Sequence, residues 1–162
     1  MAKGNPKQPP PLPSDYEEME FKVEEEDWNE YELDDDVRIK GRIFLAKIMR
    51  DPNDPKKMNF DITPPKWAVF APPHLRGTPS LELIKDRDKQ LSHKKYKVHI
   101  NRNHEPWNVY RILRTGQEVK IKLTIDEVNR FDNAYDQNGS PFYSIPNGIA
   151  ITMKGNKPQQ GS

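Results

Sequence analysis

The chain contains no cysteine, which excludes disulfide bridges, thiolate metal sites and cysteine nucleophiles together and leaves stability to packing. Long hydrophobic runs are missing too. No stretch approaches the ~18 apolar residues that cross a bilayer as a helix, and the N-terminus lacks the apolar segment of a secretory signal. A cytoplasmic protein without membrane contact is the expectation. Apolar residues are scarce, 33% against 31% charged, so the apolar side chains must be concentrated in part of the 162 residues if a core is to form. The length suits one domain.

Chemistry is sparse as well. There is no P-loop, no G-x-G-x-x-G and no G-x-S-x-G. His74, His93, His99 and His104 lack the helical spacing of metal ligands, and a strand would turn His99 and His104 to opposite faces. Asp132, Asp136 and Asn138 near Gly139 loosely resemble an oxygen-rich calcium loop, but further ligands and a terminal Glu are missing, so a plain hairpin turn is expected there. No catalytic residue, cofactor or metal is assigned.

Charge is present in quantity but unevenly placed. Residues 1–36 hold 3 Lys against 13 Asp and Glu, whereas residues 37–162 hold 23 basic and 12 acidic residues, and the net charge of +1 hides this contrast. The first 14 residues, MAKGNPKQPPPLPS, have no apolar face to bury. Their run Pro9, Pro10, Pro11, Leu12 and Pro13 favours polyproline II, a form that docks in aromatic grooves at low ordering cost.

Further along, strand signals dominate. In V-R-I-K-G-R-I-F-L, Val37, Ile39, Ile43 and Leu45 alternate with Arg38, Lys40, Arg42 and Phe44, the period of a half-buried strand. Gly41 falls in an apolar slot, which marks a bend, a bulge or a close backbone approach. D-P-N-D-P-K-K at 51–57 is turn chemistry, and Pro64-Pro65 separates two short strand candidates. Thr78 and Pro79 suit the start of one short helix containing Leu81, Ile84 and Leu91. Val119, Ile121, Leu123 and Ile125 alternate with Lys120, Lys122 and Thr124, and D-Q-N-G at 136–139 is a tight-turn signal before the returning strands.

These signals repeat. Trp28-Asn29-Glu30-Tyr31 is echoed by Trp107-Asn108-Val109-Tyr110, Val37-Arg38-Ile39-Lys40 by Val119-Lys120-Ile121-Lys122, and Phe60-Asp61-Ile62 by Tyr143-Ser144-Ile145. Trp67-Ala68-Val69 is matched with Ile149-Ala150-Ile151, and the lead-in Phe21-Lys22-Val23 with Tyr96-Lys97-Val98. One copy alone would leave sheet edges and an apolar face in water; two copies can cover each other. The expected fold is all-β with one short helix, a small barrel or a two-sheet sandwich built from an internal duplication. Residues 1–20 are expected to be a disordered Pro-rich, acidic tail. Residues 21–154 form one β domain of repeats 21–75 and 96–154 joined by 76–95, and residues 155–162 are a frayed C-terminal tail. In size and strand rhythm the chain resembles small oligonucleotide-binding or SH3-like barrels, without a motif that ties it to either.

The functional expectation is a non-enzymatic interaction or assembly module that binds a protein partner or copies of itself along an open edge strand. The alternative is a single-stranded nucleic-acid binder, in which Arg38, Lys40, Arg42, Lys120 and Lys122 meet phosphates and Phe44 offers a stacking surface. An enzyme of unrecognised type ranks third.

Overall fold

A computed structural model describes residue 9 and residues 12–155. Pro10 and Pro11 of the proline run and the segment 156–162 lie outside the described residues. The strands, in order, are β1 (Glu17–Glu18), β2 (Phe21–Glu25), β3 (Asn29–Leu33), β4 (Arg38–Arg42), β5 (Leu45–Asp51), β6 (Asp54–Ile62) and β7 (Lys66–Phe70). After helices α1 (Leu81–Lys85) and α2 (Arg87–Ser92) come β8 (Lys95–Val98), β9 (Ile100–His104), β10 (Asn108–Ile112), β11 (Glu118–Ile125), β12 (Val128–Tyr135), β13 (Pro141–Ser144) and β14 (Asn147–Lys154).

All strand pairings are antiparallel, and they build four open sheets in the orders β1-β5-β6, β7-β4-β3-β9, β8-β12-β13 and β14-β11-β10-β2. Among the described residues no sheet closes on itself, so the barrel alternative is not realised and the architecture is sandwich-like. The pairing pattern of β1–β7 recurs in β8–β14 with one exchange: β2 pairs with β10 of the second half, and β9 pairs with β3 of the first. Each four-stranded sheet therefore carries one strand from the opposite half.

The cores follow the same crossing. In the first, Met19, Leu45 and Ile48 from β1-β5-β6 and its lead-out pack, with Ile43, on Tyr110, Ile112, Val119, Ile121 and Leu123 of the second half. In the second, Leu33, Val37 and Ile39 meet Val98 and Val128. Trp67 touches both. In these two cores each three-stranded sheet lies against the other half's four-stranded sheet.

Pairing register corrects several sequence correspondences. Tyr31 faces Ile39, and Tyr110 faces Val119, so Ile39, not Val37, is the counterpart of Val119. Trp67 faces Gly41 while Ile151 faces Ile121, which moves the counterpart of Trp67 from Ile149 to Ile151. A slip of two leaves the alternation of an apolar-basic strand unchanged, which is why the pattern alone misplaces it. Phe21-Lys22-Val23 corresponds to β9 rather than to Tyr96-Lys97-Val98, which occupies the place of β1. The two β3–β4 and β10–β11 turns differ by one residue. Leu33 N–H bonds to Val37 O across three residues, and Ile112 N–H to Gln117 O across four. Their last positions, Asp36 (φ 67°) and Gly116 (φ 73°), both take the left-handed conformation.

Order also begins earlier than residue 21. Met19 is buried, Glu17 receives two bonds from Arg50 at 2.7 and 2.9 Å and contacts Arg114, and Glu18 pairs with Lys47 at 2.5 Å. These long-range ion pairs hold an acidic segment that composition alone assigns to a tail. Pro13 opens a single 3-10 turn, and Leu12 is exposed.

The linker departs from one helix capped by Thr78. Helix α1 starts after Ser80, and the extended Asp86 ends it and caps α2, accepting from the amides of Asp88 and Lys89. Leu83 anchors α1 on Phe131, Ala134 and Phe142 of the β12–β13 hairpin. That hairpin turns as expected: Asp136 Oδ1 accepts from the amides of Asn138 and Ser140, and Gly139 sits at φ 81°. The 51–54 turn is likewise closed by Asp51 Oδ1 accepting from Asn53 N at 2.8 Å.

Candidate interaction surfaces

The repeated Trp-Asn-x-Tyr segments build two buried polar clusters between the halves. Tyr31 donates its hydroxyl to Glu105 Oε2 at 2.7 Å and accepts from Asn29 Nδ2 at 2.8 Å. In the other direction Tyr110 donates to Glu26 Oε2 at 2.7 Å, and Glu26 Oε1 is bound by Arg42 at 2.9 Å. Each glutamate stands two residues before its tryptophan and is satisfied by the tyrosine of the opposite half. A third tyrosine, Tyr143, donates to Asp35 Oδ2 at 2.8 Å, and Arg130 reaches the same oxygen at 3.3 Å.

Burial, then the carboxylate hydrogen bond, pushes the ionisation of all three tyrosines well above the ordinary phenol range. The folded state thus holds protons that the unfolded chain releases near pH ~10. The stabilisation is complete below that pH and falls above it, by roughly 1.4 kcal/mol per pH unit for each tyrosine. An absorbance titration of tyrosinate is expected to show these three ionising only together with loss of the β-sheet circular dichroism signal. Smooth ionisation of all tyrosines in the folded protein would contradict these assignments.

The basic residues singled out by the sequence fall on two different sheets and are largely engaged. Arg42 lies over Trp28 (5.6 Å) and Phe44 (5.0 Å), with its Nε buried and without a partner among the described residues. Arg38 lies over Phe70 at 5.9 Å, and Lys122 over Trp107 at 5.2 Å. Glu32 and Glu30 stand directly opposite Arg38 and Lys40, so the β4 row faces an acidic row on β3. On β11, Lys120 faces Val109. Phe44 is exposed, but its face is shared with Arg42. Among the described residues no group of three or more histidines, aspartates or glutamates could hold a metal ion, and no helix is long and apolar enough to cross a membrane.

The chain matches no protein-family model, no curated protein and no solved structure. The sheet edges of the molecule differ sharply.

Most edges carry the features that discourage strand addition. Edge β6 holds Pro55, Lys56, Lys57 and Asp61, and β2 holds Lys22, Glu24 and Glu25. The four-residue β13 starts on Pro141, β8 carries Lys95 and Lys97, and β9 carries Arg102 and His104. The short β7 is bounded by Pro64-Pro65 and Pro72-Pro73. Its counterpart β14 is different. It runs N-G-I-A-I-T-M-K over eight residues with no proline and no charge before Lys154. Among the described residues only β11 pairs with it, and Ile149 and Ile151 remain 39% and 40% exposed. This edge was not among the residues selected from sequence. The uncharged, β-branched run was the available signal, but nothing local marks a strand as an edge.

Proposed function

We propose that this chain is a non-enzymatic interaction and assembly module that joins a protein partner or another copy of itself by strand addition at β14. The observation that carries the reading is the contrast between β14 and the other edges. A long, proline-free edge with no charge before its last residue and two half-exposed isoleucines offers backbone groups and apolar side chains together, the two components of β-augmentation. The proline run at Pro9–Pro13, of which Pro9, Leu12 and Pro13 are described and exposed, is a second contact for a partner that reads polyproline II.

Light scattering over a concentration series tests the reading. The wild-type protein is expected to rise in mean mass above 18.9 kDa with concentration. Ile149→Lys and Ile151→Lys are expected to stay monomeric while keeping the wild-type circular dichroism spectrum. Equal masses for wild type and both variants would remove β14 as a contact between copies. A labelled single-stranded oligonucleotide in the same samples is expected to remain unbound, because Glu30 and Glu32 offset the β4 row. Binding at ~50 mM salt that collapses at ~200 mM would favour the nucleic-acid alternative instead.

A further inference from the structure

Resting on the assembly reading above, we propose that the β14 edge is occupied by β14 of a second copy of this chain, paired antiparallel about a twofold axis at Ala150. Side-chain placement comes first. Asn147, Ile149, Ile151 and Met153 share one face of the strand, opposite Ile125, Leu123, Ile121 and Val119 of β11. Met153 already packs against the first core, which leaves Ile149 and Ile151 as the apolar groups still in need of cover. Antiparallel pairing centred on Ala150 sets Ile149 against Ile151 of the partner subunit and Ile151 against the partner's Ile149. Both exposed side chains are then covered twice over by one symmetric contact.

Charge selects the same direction. The single charge of β14, Lys154, lies at its C-terminal end, where Glu118 stands opposite but is engaged by Arg111 at 3.6 Å. At the N-terminal end, Asn147 faces Ile125, and the next residue of that corner is the exposed Asp126, followed by Glu127. An antiparallel pair carries each Lys154 toward the partner's Asp126. A parallel in-register pair would instead set Lys154 against its own copy and leave both acidic corners alone. The antiparallel arrangement is also isologous: both copies spend the same edge, so the contact closes at a dimer and does not propagate into a fibre. It yields one continuous sheet of two four-stranded halves, ordered β2-β10-β11-β14 and then the reverse. The counterpart strand β7, five residues long with charged Lys66 at its start, lacks the length to do this.

The absence of cysteine makes introduced thiols unique and the register testable. With Ala150→Cys, mild oxidation is expected to convert most of the protein to a disulfide-linked dimer, because residue 150 meets its own copy on the axis. Thr152→Cys alone is expected to stay uncrosslinked, since its two copies lie ~14 Å apart along the paired strands. Mixing Thr152→Cys with Gly148→Cys restores the crosslinked dimer. Lys154→Glu in the Ala150→Cys background is expected to lower the yield several-fold, and adding Asp126→Lys to recover it. If light scattering shows association while Thr152→Cys crosslinks and Ala150→Cys does not, the twofold register is overturned and the edge reading survives. If the wild-type protein stays monomeric at every concentration, the second-copy occupant is overturned, and so is self-association as the use of this edge.

Discussion

Cut between His74 and Leu75 and separated, the two halves of this chain are expected to be unfolded, and to regain the β-sheet circular dichroism signal only when mixed. The reason is where the cores lie. Of the nine buried residues of the first core, Met19, Ile43, Leu45 and Ile48 come from one half and Tyr110, Ile112, Val119, Ile121 and Leu123 from the other. Burial of one such side chain contributes ~1.5–3 kcal/mol, so a half that loses its opposing sheet forfeits more than the ~5–15 kcal/mol by which domains are usually stable. Each four-stranded sheet also loses an edge strand, because β2 and β9 are exchanged. The complementary polar contacts, Glu26 with Tyr110 and Tyr31 with Glu105, lose one member each. The linker holds on to the second half, with Gly77 N bonded to Gly139 O and Ser80 Oγ accepting from Tyr135 N, so a cut upstream of it leaves those contacts intact. A half that folds by itself to a cooperative, sheet-rich state would show that the crossing is not needed for stability.

Trp67→Ala is expected to lower the unfolding free energy by about 3–5 kcal/mol, read from the midpoint of urea denaturation. Trp67 lies against both cores, so its loss opens a cavity where the two meet. Its ring covers Gly41 so closely that a Cβ there would fall 2.2 Å from Cζ3 and 2.6 Å from Cε3. That close approach is the reason for a glycine in the middle of an apolar-basic strand. In the second half the same pair of positions is filled by Ile121 and Ile151, two medium side chains in place of a large one and none. Gly41→Ile alone is therefore expected to destabilise strongly by overpacking, and Gly41→Ile combined with Trp67→Ile to cost clearly less than the sum of the single changes. Simple additivity in that cycle would mean that the ring and the missing Cβ do not share the space.

Strand content was legible because it is written locally. The alternation of Val119, Ile121 and Leu123 with Lys120 and Lys122 is matched by buried and half-buried positions along β11, and the alternation around Ile39 likewise along β4. The turns at 51–54 and 136–140 follow from Asp side chains bonding to their own backbone. Gly41 stands out in the pattern as a bend, a bulge or a close backbone approach; what approaches it is the Trp67 ring, a side chain.

What stayed hidden depends on partners distant in sequence. The exchange of β2 and β9 cannot be seen in either strand, since pairing choice leaves no local pattern. The slip of two in β4 and β7 preserves every apolar-polar alternation and so escapes it. Glu17 and Glu18 look like tail residues until Arg50, Lys47 and Arg114 are placed around them. The same holds for the basic rows: their spacing was visible, but the glutamates of β3 that face them become evident only with the register. The β14 edge needed both the sheet order and the exposure of Ile149 and Ile151.

The most direct measurement is amide hydrogen exchange of the wild-type protein at low and at high concentration, resolved strand by strand. Amides of β14 are expected to become markedly slower as concentration rises, while those of its counterpart β7 stay unchanged. Concentration-independent exchange in β14, or added protection in β7 instead, would contradict self-association by strand addition at this edge.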